Sequence, residues 1–171
     1  MKEKIFRNYL ELKSFKDFKE VKRPSEDCLL ELANQKDFQL NKFFYKNIGK
    51  KYQWVDRLIW SDQKWIEYIF NKKLSTYILK DREELVGFFE LIFNRDTKEA
   101  EIAYLGILDE YYGKGLGGYL LSEAIKISFS KGSLRVWVHT CSLDHKNALK
   151  NYLARGMKIF KSETLIRKSF L

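Results

Sequence analysis

Three glycines at alternate positions, Gly113, Gly115 and Gly117, lie between an apolar segment and a helix-like segment. Glycine has no Cβ atom, so a ligand can approach the backbone closely at these positions. Backbone amides at the start of a helix are free to donate hydrogen bonds, and the helix dipole favours an anion there. Lys114 can add positive charge at the rim. The pattern therefore predicts a binding site for a pyrophosphate or a similar anion.

Two common phosphate-binding motifs do not match this glycine loop. A P-loop needs Gly-Lys-Ser/Thr at its end, and that run does not follow here. A dinucleotide-binding motif needs an acidic residue on the next strand, about 20 residues downstream. The segment 134–140, which alternates like that strand, contains no acidic residue.

The segment 105–117 resembles motif A of the GNAT superfamily of acyl-CoA transferases. In that family a strand leads into a Gln/Arg-x-x-Gly-x-Gly/Ala turn, and this chain has the same layout. Asp109 replaces the family's usual proline, and Tyr112 replaces its Gln or Arg. A second block, 148–157, matches the family's last helix, Ala-x-x-x-Tyr-x-x-x-Gly-Phe, in order and distance. The two blocks together cover roughly the C-terminal third of the chain.

The resemblance implies an α/β (α+β) fold of the GNAT type. Its central sheet is mixed but mostly antiparallel, with a V-shaped splay between two parallel strands and helices on both faces. The implied reaction is transfer of an acetyl group from acetyl-CoA to a primary amine by direct attack in a ternary complex. The alternative is a domain of the same fold that binds acetyl-CoA without transferring it, as a sensor or partner module. The acceptor would be a small-molecule, peptide or protein amine, and a homodimer is compatible with the family.

By the same resemblance, coenzyme A contacts the strand before the glycine loop, the loop itself and the start of the last helix. The expected cofactor-binding residues are Leu105, Gly106, Ile107, Tyr112, Gly113, Lys114, Gly115, Leu116, Gly117, Gly118 and Asn147. The strand would pair with the pantetheine arm and donate to the thioester carbonyl. Because Tyr112 replaces Gln or Arg, phosphate binding falls mainly to backbone amides.

The expected catalytic residues are Tyr152 and Glu90. Tyr152 matches the family tyrosine that protonates the leaving sulfur, and a phenol holds that proton because its pKa of about 10 exceeds a thiol's. Glu90 lies in an apolar strand, where partial burial in the cleft would raise its pKa towards that of a base. A glutamate on the solvent side of the strand fits the same alternation. Glu101 and His139 are weaker candidates.

The segment 52–65 is rich in tryptophan and lies between two helix-like segments, where the family covers its acceptor pocket. Trp54 could form an aromatic wall, and Arg57 could bind a carboxylate of the acceptor. A helix–helix core is the plainer interpretation, and it is favoured for Trp65. Asp144 is expected to cap the last helix.

Composition excludes several other classes of protein. The chain has 171 residues, 45% of them hydrophobic and 32% charged, as in a folded globular protein. No apolar run is long enough to span a membrane, and the mixed-charge start, Met1 to Lys4, does not predict a secretory signal. Cys28 and Cys141 are far apart, so neither a disulfide framework nor a metal site is expected, and a cytoplasmic location fits. The net charge of +9 is spread along the chain, which does not favour nucleic-acid binding.

Hydrophobic periodicity predicts the elements that must position these residues. With one proline and no Gly/Ser-rich linker, residues 1–171 are expected to form a single domain. Strands are expected at 5–13, 28–33, 74–80, 85–94, 100–108, 134–140 and, as one or two strands, 158–171. Helices are expected at 38–48, ending at Gly49, and at 61–70, 119–130 and 147–155.

Overall fold

The structure of the protein, a computed structural model, describes residues 2–168. Its strands are β1 (Lys2–Leu12), β2 (Cys28–Leu32), β3 (Leu74–Asp81), β4 (Glu84–Asn94), β5 (Glu99–Ile107), β6 (Arg135–Cys141) and β7 (Lys158–Lys168). Its α-helices are α1 (Gln39–Tyr52), α2 (Asp62–Ile69), α3 (Leu116–Ser130) and α4 (Ala148–Ala154). Short 3₁₀ turns at Phe15–Asp17 and Asp109–Tyr111 complete the described elements. No helix within residues 2–168 has the length and apolar character needed to cross a membrane.

The strands form one mixed sheet in the order β2-β3-β4-β5-β6-β1-β7. Every neighbouring pair is antiparallel except β5 and β6, which are parallel. That parallel pairing is short, running only from Glu99↔Arg135 to Glu101↔Trp137. Beyond it both strands continue without pairing to each other, so a cleft opens between them. The fold class expected from the resemblance, including the splay, is confirmed.

Helices pack on both faces of the sheet. Adjacent residues of β4 illustrate this, since successive side chains of a strand point to opposite faces. Phe89 packs in the main core with residues of α3 and with Tyr152 of α4. Phe88 packs on the other side against Phe44 and Ile48 of α1. Helices α3 and α4 therefore lie on one face of the sheet, and α1 lies on the other.

Helix ends agree with the sequence patterns where capping is local. The Ser61 hydroxyl accepts a hydrogen bond from the Lys64 amide at 3.2 Å, so α2 begins where the Ser-Asp pair predicts. By contrast, α3 begins at Leu116, three residues before its expected start at Tyr119. Burial of Leu116 in the core outweighs the low helix propensity of the two glycines that follow it.

Gly49 does not end α1, contrary to expectation. The helix runs on to Tyr52 and is capped by Gln53, whose φ of 55° is left-handed. Gly49 is instead buried within the helix. A larger residue would not fit there, because its Cβ would come within 2.6 Å of the Trp54 Cβ. The glycine thus serves a close contact: the chain turns back after α1 and lays Trp54 against the helix.

The expected cap on the last helix is also wrong. Asp144 accepts hydrogen bonds from the Thr140 hydroxyl at 2.5 Å and from the Cys141 amide at 2.9 Å, so it closes the turn after β6. The amide at the start of α4, that of Asn147, donates to His145 Nδ1 at 3.0 Å instead. The C-terminal segment forms a single strand over 158–168, and its expected last residues, 169–171, lie outside the described part.

Candidate active site

A cavity of about 1250 Å³ occupies the cleft between β5 and β6. One end lies at the glycine loop and the start of α3. The other end lies between the loop that joins α1 to α2 and the outer strands β1 and β7. Of the expected cofactor-binding residues, nine line this cavity: Leu105, Gly106, Ile107, Tyr112, Gly113, Gly115, Gly117, Gly118 and Asn147.

The glycine loop has the backbone conformation that its composition predicts. Gly113 and Gly115 have φ values of 78° and 74°, the left-handed region that favours glycine, and no atom lies within 4 Å of a Cβ built on either. Gly115 is the N-cap of α3, and no side chain within residues 2–168 caps this end. The first intrahelical bond is donated by Tyr119, to the Gly115 carbonyl at 3.2 Å. The preceding amides, which line the cavity at Gly117 and Gly118, are therefore free to bind an anion.

Two expected cofactor-binding residues lie elsewhere. The Lys114 Nζ is 5.4 Å from the centroid of the Tyr111 ring, and Lys114 does not line the cavity. Leu116 is 3% exposed and packs in the main core, where its side chain fixes the first turn of α3 to the sheet. Lys114 thus lies outside the cavity lining, and Leu116 holds the loop by packing in the core.

Tyr112 belongs to an aromatic group that borders the loop. Its hydroxyl is 2.5 Å from the hydroxyl of Tyr52, at the end of α1. The His145 ring packs edge-on against both tyrosines, with centroid separations of 5.0 and 6.0 Å. Burial, together with the bond to Tyr52, raises the pKa of Tyr112, so its phenol keeps its proton. Its one hydroxyl proton is engaged by the contacts with Tyr52 and the Asp109 carboxylate, so Tyr112 does not offer a ligand the free donors of a Gln or Arg.

The middle of the cavity is bounded by an unpaired edge of β5. Residues 102–107 pair with β4 on one side, and no strand of the described chain pairs with their other edge. Gly106 lies under α1, since a Cβ there would be 2.7 Å from the Ile48 Cγ2. An extended ligand in the cleft could bond to this edge as an additional strand does.

Tyr152 lines the cavity from α4, on the side that carries α3. It is 8% exposed, and burial raises its pKa above the ordinary value of a phenol. The hydroxyl therefore remains protonated at neutral pH. Tyr152 therefore lies in the same cavity as the free edge of β5.

Arg57 lies at the centre of a buried aromatic cluster. Its guanidinium carbon is 4.1 Å from the ring centroid of Tyr68 and 4.3 Å from that of Tyr104. Three more rings surround it at 4.8 to 5.5 Å, those of Trp60, Tyr45 and Trp65. Cation–π contacts of this kind are worth about 2 kcal/mol when desolvated. Arg57 borders the cavity, but its charge is already surrounded by its own chain.

Glu90 is the counterion of Arg57 and does not face the cleft. It is 0% exposed, and its Oε1 accepts from Arg57 Nη1 at 3.0 Å and from Asn41 Nδ2 at 2.9 Å. Its Oε2 accepts from the Tyr68 hydroxyl at 2.6 Å. Strand alternation turns Glu90 towards α1 and α2, where these donors close over it. The structure thus corrects two expectations, the cleft-facing glutamate and the free guanidinium, because each group already binds the other.

Trp54 forms a wall of the cavity next to this cluster. Its ring packs edge-on against Tyr104 with centroids 4.8 Å apart, and it also contacts Tyr45 at 5.7 Å. Trp65, which the sequence suggested was core, is 1% exposed. Of these two tryptophans, Trp54 therefore borders the cavity and Trp65 is a buried packing residue.

Glu101 lines the cavity at the point where β5 and β6 part, and sequence reasoning had ranked it low. Burial raises the pKa of its carboxyl group, while the charge of Arg57 opposes that shift. A bulge at Ala103 allows Glu101 and Tyr104, three residues apart, to lie on one face of the sheet. The sequence signal for Glu101 was a charged residue inside an apolar strand. Only the register of β5 against β4 shows which face of the sheet it lies on.

His139 also lines the cavity, on β6. Desolvation and, secondarily, the charge of Arg7 lower its pKa below the usual value, so the ring is neutral at neutral pH. The cleft thus brings Tyr152, Glu101 and His139 into one cavity with the glycine loop, and it leaves Glu90 outside.

The family model described as Acetyltransferase (GNAT) family matches residues 37–157, which is most of the chain. The chain belongs to this family. No curated protein matches it.

Several solved structures share the fold. A GCN5-related N-acetyltransferase from Sphaerobacter thermophilus superposes with a TM-score of 0.74 at 14% identity, over 96% of this chain and 51% of its own. An aminoglycoside acetyltransferase from an uncultured soil metagenomic sample gives 0.64 at 14% identity, over 78% and 90% of the two chains. An IAA acetyltransferase from Bacillus cereus gives 0.58 at 20% identity, over 78% and 79%. The protein spans about half the length of the Sphaerobacter structure.

Breaking the buried ion pair should destabilise the protein strongly. We expect Glu90→Gln to lower the free energy of unfolding by about 3–5 kcal/mol, because it leaves the Arg57 charge buried without its counterion. The measurement is urea unfolding followed by circular dichroism. The matched control is Glu31→Gln, which breaks the solvent-accessible pair of Glu31 and Lys80 (2.8 Å) and should change the stability little, because water screens that pair. Equal losses in both variants would contradict the assignment.

Proposed function

We propose that the protein transfers an acetyl group from acetyl-CoA to a primary amine, by direct attack within a ternary complex. The observation that carries this proposal is one continuous cavity, which joins an open glycine loop to the splay between β5 and β6. The Tyr152 side chain borders the same cavity. Membership in an acetyltransferase family supports the same reaction class.

The residues of the cleft fit coenzyme A by their chemistry. The free amides at the start of α3 suit a pyrophosphate, and the absence of Cβ atoms at Gly113 and Gly115 leaves room for it. The unpaired edge of β5 at Leu105 to Ile107 suits the amides of a pantetheine arm and leaves backbone N–H groups to polarise a carbonyl. The thioester of acetyl-CoA supplies the activated acetyl group.

Two protons must move in this reaction, and each has a candidate residue. Tyr152 holds its proton because burial raises its pKa, so it can donate to the sulfur as the C–S bond breaks. Glu101 has a carboxyl pKa that burial raises, so it is better matched than an ordinary carboxylate to accept a proton from the attacking ammonium or amine. Glu90 is not suited to this role, because its oxygens already bind Arg57, Asn41 and Tyr68. Trp54 then forms the acceptor wall.

The cofactor assignment can be tested with a pair of glycine variants. Gly115→Ala should raise the Kd for acetyl-CoA at least about tenfold, since it places a Cβ in the cradle and strains the left-handed backbone. Gly132→Ala carries a comparable backbone strain at φ 93°, after α3 and away from the cavity, and should leave the Kd unchanged. Isothermal titration calorimetry measures both. Failure of the wild-type protein to bind acetyl-CoA at millimolar concentration would refute the proposal.

Tyr152→Phe should lower kcat by about 100-fold while the Kd for acetyl-CoA changes little, because only the proton donor is removed. Release of free coenzyme A thiol from acetyl-CoA, with a panel of amines, gives the rate. Tyr77→Phe, which removes a hydroxyl outside the cavity, is the matched control. Full activity in Tyr152→Phe would show that the sulfur obtains its proton elsewhere.

Glu101→Gln should lower kcat/KM by about 100-fold or more and remove the acidic limb of the pH–rate profile. The sign follows from the shift: a carboxyl pKa raised above its usual value leaves less base as pH falls through that pKa. Glu99→Gln, two residues earlier on β5 and paired with Arg135 on the surface, is the control. If Glu101→Gln retains both the rate and the limb, the base is another group, with His139 the next to substitute.

A further inference from the structure

Arg7, on β1, lines the end of the cavity away from the glycine loop. We call this the acceptor end, because Trp54 borders it. In the sheet it is opposite Cys141 of β6 and Glu163 of β7, and paired residues share a face. Its neighbour along β1 on that face, Tyr9, is opposite His139. Arg7 is also close enough to His139 for its charge to act on that ring. The guanidinium therefore belongs to the same wall as the residues that border the reaction site.

The guanidinium of Arg7 is poorly satisfied by its own chain. Its Nη1 has only a long contact to the Tyr9 hydroxyl, at 3.5 Å, and the nearest carboxylate oxygen, of Glu163, is 4.0 Å away. That carboxylate is itself bound by the Tyr9 hydroxyl at 2.5 Å and by Lys161 at 3.5 Å. The Nε of Arg7 is buried and finds no acceptor among residues 2–168. A guanidinium always carries its charge, and the Arg7 side chain is 31% exposed, so its weakly bound donors are open to water or to an anion in the cavity.

Arg57 provides an internal comparison, since both arginines border the same cavity. Arg57 has a counterion at 3.0 Å and five surrounding aromatic rings. It has no need of an external anion. Arg7 is not enclosed in this way, and its nearest carboxylate, that of Glu163, is 4.0 Å away. Arg167 of β7 also borders the cavity, but it pairs with Glu3 at 3.7 Å and bonds to Gln53. Of these three arginines, Arg7 therefore has the most weakly bound guanidinium within residues 2–168.

We infer that the acceptor is an amine that also carries a carboxylate, and that Arg7 binds this carboxylate. The inference rests on the proposed acetyl transfer and names the class of its acceptor. The planar fork of a guanidinium matches a carboxylate with two parallel hydrogen bonds. Glu101 lies on the same face of the sheet, at the point where β5 and β6 part, and its carboxyl group suits the amine.

The spacing along the sheet suits a small molecule. Glu101 is opposite Trp137 on β6, and Arg7 is opposite Cys141, four residues further along that strand. Four residues of a strand span about 13 Å, and the two strand spacings from β5 across β6 to β1 add about 10 Å, so the two Cα atoms are roughly 16 Å apart. The Glu101 and Arg7 side chains extend into this space from either end. The gap between their charged groups suits one amino acid, with its amine towards Glu101 and its carboxylate on Arg7.

The test uses matched acceptors, free amino acids and the corresponding carboxamides, with acetyl-CoA as donor. We expect kcat/KM for the wild-type protein to be at least about tenfold higher for the acids, as for a hydrogen-bonded charge pair. The carboxamides have the less basic amine, so a larger fraction of it is neutral and able to attack at neutral pH. A preference for the acids therefore cannot come from the protonation of the amine. Arg7→Gln should lower kcat/KM for the acids by about 10–100-fold and leave the carboxamides within about twofold. Arg7→Lys should recover part of the loss, because it keeps the charge without the fork.

Arg82→Gln, which removes the same charge from the exposed turn between β3 and β4, is the control and should change neither series. Calorimetric titration of amino acids into the protein saturated with coenzyme A measures binding without turnover, and circular dichroism confirms that Arg7→Gln is folded. Equal use of acids and carboxamides by the wild type, or equal loss for both in Arg7→Gln, would overturn the inference while leaving acetyl transfer intact. Absence of transfer to every amine would instead refute the proposed function, and failure of amino acids to bind the coenzyme A complex would refute the inference independently.

Discussion

The parallel contact between β5 and β6 lasts for only three residue pairs, and the remainder of the molecule depends on its brevity. A longer ladder would close the cleft and satisfy the edge of β5 internally. A shorter one would detach the four strands on one side of the sheet from the three on the other. Because backbone groups in a folded protein need partners, the open edge is a ready-made place for a ligand with amides of its own. The glycine loop continues from that edge, so the unpaired edge of β5 and the free amides at the start of α3 form one continuous surface.

The Arg57–Glu90 pair provides the second constraint. It joins the loop after α1 to the middle of β4, within a cluster of aromatic rings and the side chain of Asn41. A buried pair of charges is costly to desolvate, so its value here is better seen as positional than as a source of net stability. It sets where the loop can lie, and therefore where Trp54 meets the cavity. This wall of the cavity is thus held in place by an ion pair whose carboxylate, that of Glu90, lies outside the cavity.

The sequence predicted structure best where a conformation depends on a short stretch of chain. The loop at Gly113 and Gly115 and the helix carrying Tyr152 were both recognised, because their conformations depend on neighbours a few residues away. Glu90 was misjudged, because its environment is made by a residue 33 positions distant and by a strand face that no periodicity could assign. Glu101 was ranked too low for a related reason. Its face depends on a bulge at Ala103, which appears only once β4 and β5 are paired.

The buried glycine of α1 makes one wall of the cavity hard to change. Gly49 lets Trp54 fold against the helix at van der Waals distance, and neither side can change without the other. Packing of this kind leaves little room for substitution. β7, which also borders the cavity, is the edge strand of the sheet and is paired on one side only. A redesign of the cavity would therefore begin on β7.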